Sequence, residues 1–144
     1  MIRKIKRHKL TPKQREDVYC KYNKHCAYCG CEIAFNKMEI DHLTPVYHFE
    51  IKSELQDKSP DDFDNLMPAC RSCNRYKDTY NIETFREVIS KIPFKLRRDH
   101  KTFSIGERFE LIQVNEHPVE FYFEKCEKEK RLLYDRQRMV QNTN

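Results

Sequence analysis

Two cysteine pairs flank an aspartate followed by a histidine, Asp41-His42, in this sequence. The first pair is Cys26 with Cys29 and the second is Cys70 with Cys73. Cysteine pairs with this C-x₂-C spacing bind Zn²⁺, which prefers four sulfur or nitrogen ligands in a tetrahedron. Asp41 and His42 suit a different chemistry, because a carboxylate can hold a hard cation and an imidazole can take a proton from water near neutral pH. The sequence therefore predicts a structural zinc site at the two cysteine pairs and a separate site for a catalytic cation in the segment between them.

The insert between the cysteine pairs is long but tolerable. Forty residues separate Cys29 from Cys70, whereas the usual spacing is about 15–20. Lengthening the loop costs less than about 1 kcal/mol, while structural zinc contributes an apparent ~10–16 kcal/mol in small zinc-binding domains. The alternative is that all seven cysteines are small buried hydrophobes. We expect zinc at the two pairs and assign Cys20, Cys31 and Cys126 to packing.

Cysteine usage also indicates the compartment. Seven is an odd number, and no apolar segment follows the charged residues at the N-terminus, so a secreted disulfide framework is not expected. No stretch approaches the roughly 18 apolar residues that a membrane span requires. We therefore expect a cytoplasmic protein in a reducing environment, without a membrane partner.

Charge is distributed unevenly along the chain, whose formal net charge is +5. Residues 1–25 contain nine basic and two acidic residues, residues 41–70 contain two basic and seven acidic, and residues 71–101 contain nine basic and four acidic. Basic segments that flank an acidic middle suit a polyanion-binding surface around a cation site. The alternative is that these charges merely solvate exposed faces.

The expected fold class is α+β with little sheet. Thr11, Pro12 and Gln14 form a capping pattern that predicts a helix start after a basic arm at residues 1–10. The other predicted elements are strands at 38–42, 65–68 and 119–123, helices from 71 to 77, from 81 to 92 and from 124 to about 140, and a broken helical segment at 94–110. The expected division is an arm and helix (1–25), a core (26–80) and a mostly helical extension (81–144).

The residues from Cys26 to Lys77 resemble the HNH endonuclease family. The resemblance joins, in order, the first cysteine pair, Glu39-Ile40-Asp41-His42-Leu43-x-Pro45, Asn65-Leu66 and Cys70-x₂-Cys73-Asn74-x₂-Lys77. It implies a small ββα-metal core, in which a hairpin and a helix surround one divalent cation. Together with the patterns described above, the expected architecture is this core stapled by four cysteines, with flanking helices and a short C-terminal strand. The segment after residue 82 also looks like the tails of HNH proteins from phages and mobile elements.

The resemblance assigns roles to individual residues. It implies that His42 is the general base, that Asp41 is a ligand of the catalytic cation, and that Asn65 orients the base and ties the hairpin. Asn74 occupies the third motif position, where many family members have histidine, so the chain is an H-N-N variant. An asparagine oxygen favours Mg²⁺ or Mn²⁺. Glu39 is expected to be a surface acid, with a supporting role beside the cation as the alternative.

The resemblance further implies that the partner is DNA. Arg71, Arg75 and Lys77 lie on or next to the helix that carries Asn74, and such groups contact phosphates without reading sequence. The favoured function is a metal-dependent endonuclease that nicks or cuts duplex DNA. The alternative is a zinc-stabilised nucleic-acid-binding or adaptor module whose nuclease core is inactive.

Overall fold

The structure is a computed structural model that describes residues 5, 8–55 and 57–141. The predicted basic arm at residues 1–10 therefore lies largely outside the described residues. The elements in chain order are α1 (Pro12–Cys20), β1 (Glu39–His42), α2 (Val46–Ile51), β2 (Leu66–Ala69), α3 (Arg71–Lys77), α4 (Ile82–Ser90), α5 (Ile92–Asp99), α6 (Lys101–Arg108) and α7 (Tyr122–Gln141), with short 3-10 turns at Phe35–Lys37, Ser53–Leu55 and Phe63–Asn65. The mixed α and β composition with little sheet confirms the predicted fold class.

The first helix begins as the sequence predicts. Thr11 Oγ1 accepts a hydrogen bond from the backbone N–H of Gln14 (3.2 Å), and Gln14 Oε1 accepts one from the backbone N–H of Thr11 (2.9 Å). This reciprocal capping satisfies two donors that a helix start would otherwise leave unpaired. From α1, the guanidinium of Arg15 donates to the carbonyl of Met38 (2.5 Å). The helix is thereby attached to the residue that leads into β1.

Strands β1 and β2 form a two-stranded antiparallel hairpin. The register pairs Glu39 with Ala69, Ile40 with Pro68, Asp41 with Met67 and His42 with Leu66. On the other side of β2, the carbonyl of Pro68 accepts a hydrogen bond from the N–H of Ala27 (2.8 Å). The first cysteine pair is therefore attached to the hairpin through the backbone, and helix α3 begins two residues after β2 ends.

The described chain divides into two compact units. The first contains residues 1–81 and 121–144, and the second contains residues 82–120. Helix α7 belongs to the first unit because its first turn meets the cysteine knuckle: Tyr122 N–H donates to the Tyr28 carbonyl (3.1 Å) and Phe123 N–H to the Ala27 carbonyl (2.8 Å). This division differs from the sequence grouping, which keeps all of 81–144 together.

The C-terminal strand predicted at 119–123 is absent from the described residues, since α7 begins at Tyr122. Phe121 and Phe123 are nevertheless both buried, and their rings stack with centroids 6.0 Å apart. The alternating apolar pattern thus reflects packing on the core and not strand pairing. The buried side chains of the first unit include Val18, Tyr22, Ala27, Ile33, Met38, Leu66, Met67, Ala69, Phe121 and Phe123.

The second unit contains α4, α5 and α6. Phe85 of α4 is buried, and Arg86 of the same helix donates to the carbonyl of Val119 (2.6 Å). Arg97 and Glu107 form an ion pair that joins α5 to α6 (2.8 Å). No helix among the described residues has both the length and the apolar character needed to cross a membrane.

Candidate active site

The four predicted zinc ligands converge on one point. The Sγ atoms of Cys26, Cys29, Cys70 and Cys73 all lie within 4.8 Å of one another. The Sγ atoms of Cys29 and Cys70, one from each pair, lie 3.9 Å apart. Four sulfurs at this separation are the donor set that Zn²⁺ prefers, so the residues fit a structural zinc ion.

Local backbone geometry presents the thiols. The turn of the first pair closes through Gly30 N–H, which donates to the Cys26 carbonyl (2.9 Å), and Gly30 itself adopts φ +76°, a conformation that favours glycine. At the second pair, Cys70 Sγ accepts a hydrogen bond from Cys73 N–H at the start of α3 (3.4 Å). Hydrogen bonding from the Cys73 thiol, with help from backbone N–H groups, lowers the pKa of Cys26 to about 4. A thiolate is therefore already favoured inside the cluster, as metal binding requires.

The other three cysteines do not belong to this four-sulfur group, although the Cys31 thiol lies within hydrogen-bonding reach of the Cys29 and Cys70 thiols. The packing role predicted for Cys20 and Cys31 is wrong, because both residues are exposed. Cys126 is buried and fits the prediction.

Asp41 is held firmly through one of its two oxygens. The hydroxyl of Tyr28 donates to Oδ2 (2.5 Å), and the ammonium of Lys77 lies 3.0 Å from the same atom. Burial, together with the negative charge of Asp41, raises the pKa of Tyr28 well above its usual range, so the phenol keeps its proton and donates. Among the described residues, no donor holds Oδ1 of Asp41. That oxygen is the one suited to a cation.

Lys77 is fully buried, with 0% exposure. Its ammonium also donates to the carbonyl of His42 (2.8 Å), so it holds Asp41 and the backbone of His42 together. A direct contact with phosphate, as the resemblance implies for Lys77, would require this group to become exposed. In contrast, Arg71 and Arg75 of α3 are exposed.

Asn74 contacts Glu39, for which the sequence predicts a surface position. Its side-chain amide donates to Oε2 of Glu39 (2.7 Å). Since side chains alternate along a strand, Glu39 and Asp41 lie on the same face of β1. Glu39 is half-buried, and its carboxylate is bonded to the side chain of Asn74.

His42 is bound to a partner that the sequence did not single out. Its Nε2 lies 2.9 Å from Oδ1 of Asp61, and the two side chains are only 9% and 12% exposed. Asp61 lies in the acidic segment between the strands, where it is one of six acids after β1. No local signal distinguishes it from its neighbours, because its role depends on how that segment folds back.

Asn65 forms hydrogen bonds with the segments next to His42 and next to Asp61. Its Oδ1 accepts from the N–H of Thr44 (2.8 Å), and its side-chain amide donates to the carbonyls of Thr44 (3.1 Å) and Pro60 (2.8 Å). Its own carbonyl accepts from Leu43 N–H (2.9 Å). Asn65 therefore connects the residues just after His42 with the residue just before Asp61.

The structure brings three of the predicted catalytic residues to the end of the hairpin where His42 pairs with Leu66, and it places the fourth beside Glu39, which pairs with Ala69 at the opposite end. Asp41 and His42 end β1, Asn65 precedes β2, and Asn74 lies on α3 against Glu39. The residues that sequence reasoning missed are Tyr28, whose position within the cysteine pair was its only signal, and Asp61. His48 is buried on α2, and burial lowers its pKa.

Comparison with known proteins agrees with the resemblance inferred from the sequence. Residues 26–79 match the family model described as HNH endonuclease. A curated protein of Bacillus subtilis (strain 168), YoqL, named provisionally as an SPbeta prophage-derived HNH endonuclease, is 30% identical over 88 residues, which cover 60% of this chain and 37% of the relative. The chain thus spans little more than a third of the length of that relative. No solved structure gives a significant match to the chain.

Proposed function

We propose, from the HNH endonuclease match over residues 26–79, that this chain is a metal-dependent endonuclease that hydrolyses phosphodiester bonds of DNA. The observation that carries the proposal is the arrangement at the end of β1. Among the described residues, the groups that anchor Asp41 there bind Oδ2 alone, and the adjacent His42 has a carboxylate partner on Nε2. An anchored carboxylate beside an oriented imidazole suits metal-assisted hydrolysis of a phosphate ester.

Asp41 and Asn74 would hold the catalytic cation, with Glu39 close to Asn74. When bound, Mg²⁺ or Mn²⁺ would neutralise phosphate charge in the transition state. His42 takes the proton from the attacking water, since a neutral imidazole is the side-chain base best suited to pH 7. Tyr28 and Lys77 keep the Asp41 carboxylate in place without occupying its second oxygen.

The four-cysteine cluster would hold a structural Zn²⁺ ion and take no part in the chemistry. All four positions are filled by protein sulfurs, whereas a catalytic zinc site keeps one position open for water or substrate. Its contribution is mechanical, because the first pair carries Tyr28 and the second pair starts α3, which carries Asn74.

DNA would lie across the exposed side of α3. Arg71 and Arg75 are exposed there and provide positive charge next to the proposed cation site. Such contacts neutralise phosphates without reading bases, so we expect binding that depends strongly on salt and weakly on sequence. Lys77 acts from the interior through Asp41.

A metal titration on supercoiled plasmid tests the proposal. Relaxed or linear product is expected with Mg²⁺ or Mn²⁺, and none with EDTA. Asn74→Ala should raise the concentration of Mn²⁺ required for half-maximal cleavage, while Asn36→Ala, an exposed asparagine outside the site, should not. If the protein binds the plasmid but does not cleave it with any divalent metal, the proposal is contradicted and the adaptor module is favoured.

A further inference from the structure

We infer that Asp61 is a positioning residue that fixes the proton of the His42 imidazole on Nε2 and so leaves Nδ1 as the nitrogen that accepts the proton from water. The inference rests on the proposed function, since it assigns a task to the partner of the proposed base. The juxtaposition that carries it is the 2.9 Å contact between His42 Nε2 and Asp61 Oδ1.

The contact is shielded from solvent. The side chains are 9% and 12% exposed, unlike the surface ion pairs of this chain, such as Lys13 with Asp17 at 77% and 45%. Exposed ion pairs of that kind contribute little to the free energy of folding, because water and salt screen them. A shielded hydrogen bond between an imidazole and a carboxylate orients the ring far more strictly.

The segment that carries Asp61 is itself fixed relative to His42. Asn65 bridges the backbone of Thr44, two residues after His42, and the carbonyl of Pro60, one residue before Asp61. The N–H of Asp61 in turn donates to Ser59 Oγ (3.2 Å). The approach of Asp61 to His42 is therefore held by several independent hydrogen bonds of the loop.

The chemistry of the two groups determines where the proton lies. An ionised carboxylate only accepts hydrogen bonds, and a neutral imidazole carries a single N–H. The contact to Asp61 thus requires Nε2–H, which leaves the lone pair on Nδ1. Among the described residues, none forms a hydrogen bond with Nδ1 of His42. When water loses its proton to Nδ1, Asp61 stabilises the resulting imidazolium, as a carboxylate does for the histidine of a serine-protease triad.

Nuclear magnetic resonance locates this proton directly. We would record one-bond and long-range ¹H–¹⁵N correlations of ¹⁵N-labelled, zinc-loaded protein at alkaline pH, where histidine is neutral, and assign His42 with a His42→Ala sample. A slowly exchanging Nε2–H signal is expected in the wild type, and its loss is expected in Asp61→Ala. A wild-type proton on Nδ1, or an unchanged Nε2–H signal in Asp61→Ala, would overturn the inference.

Kinetics add a second readout. Asp61→Asn keeps the size of the side chain, and we expect it to lower kcat about 100-fold with KM for DNA unchanged, because orientation of the base matters only for the chemical step. The control is Asp57→Asn, which removes the same charge from an exposed position of the same segment and should leave kcat unaltered. Zinc stoichiometry and the unfolding midpoint show whether each variant is folded.

The outcomes separate this inference from the proposed function. A folded wild type that cleaves no DNA in any divalent metal contradicts both. A wild type that cleaves DNA through His42, together with full kcat in folded Asp61→Asn, contradicts only the role of Asp61. Selective loss of kcat in Asp61→Asn together with loss of the Nε2–H signal in Asp61→Ala supports it.

Discussion

The hydroxyl of Tyr28 lies 2.5 Å from Oδ2 of Asp41, which connects the cysteine cluster to the proposed catalytic centre through one side chain. Tyr28 stands between Cys26 and Cys29, so its backbone is fixed by the turn that presents the thiols. The rings of Tyr28 and Phe121 also pack in a T-shaped arrangement, at 5.8 Å between centroids. The carboxylate that would hold the cation is thus oriented by the element that would hold zinc.

Replacing Tyr28 with phenylalanine should weaken the cation site without unfolding the protein. The ring remains while the hydroxyl that holds Oδ2 is lost, so affinity for Mn²⁺ should fall about 10- to 100-fold, as for other groups that orient metal ligands. Electron paramagnetic resonance of free Mn²⁺ measures this affinity directly. Tyr19→Phe removes a comparable hydrogen bond, to the carbonyl of Ile33, and serves as the control. Equal Mn²⁺ affinity in the two variants would contradict the orienting role.

Loss of one zinc ligand should unfold the first unit. Structural zinc contributes an apparent ~10–16 kcal/mol in small domains, more than the total stability of most proteins of this size. Cys26→Ser is expected to lose bound zinc and the cooperative unfolding transition. Cys20→Ser, at an exposed cysteine outside the cluster, should keep one zinc per chain by atomic absorption. Full zinc retention in Cys26→Ser would show that the ion lies elsewhere.

Lys77→Met should destabilise the protein strongly. The substitution preserves the aliphatic stem but leaves the buried Asp41 carboxylate without its cation, and breaking a buried pair in this way costs about 3–5 kcal/mol. Urea denaturation at constant zinc measures the change. Lys58→Met, at an exposed lysine, should change the free energy of unfolding by no more than ~0.5 kcal/mol. Similar stabilities for the two variants would contradict the interior position of Lys77.

Arg71→Gln combined with Arg75→Gln should weaken DNA binding uniformly across sequences. Each phosphate contact contributes a slope of about 0.9 to the dependence of log affinity on log salt, so the double variant should reduce the slope by about 2. Fluorescence anisotropy with two unrelated duplexes measures both effects. Arg136→Gln, on the exposed part of α7, is the control. An unaltered salt slope in the double variant would place the DNA on another face.

Local sequence signals predicted the elements that depend on neighbouring residues. The capping pattern at Thr11 and Gln14 fixed the start of α1, and the positions of both strands and of α3 followed from short patterns. The convergence of the two cysteine pairs was also predictable, because the spacing of each pair already implies a shared ion.

Features that depend on distant parts of the chain could not be predicted. Asp61 is chemically identical to other acids of its segment, and only the fold places it against His42. From local sequence alone, Lys77 would be placed at the surface, and only the fold shows that it pairs with Asp41. Phe121 and Phe123 alternate like strand residues, yet the chain turns into a helix at Tyr122 because backbone donors there pair with Ala27 and Tyr28.

The central claim, that His42 activates water for hydrolysis of a DNA phosphodiester, is tested most directly by His42→Ala under single-turnover conditions on supercoiled plasmid in Mg²⁺ or Mn²⁺. We expect the rate of strand cleavage to fall at least ~100-fold, within the range that general bases contribute, while zinc content, the unfolding midpoint and DNA affinity stay at wild-type values. Cleavage at the wild-type rate by the folded, zinc-loaded variant would contradict the account.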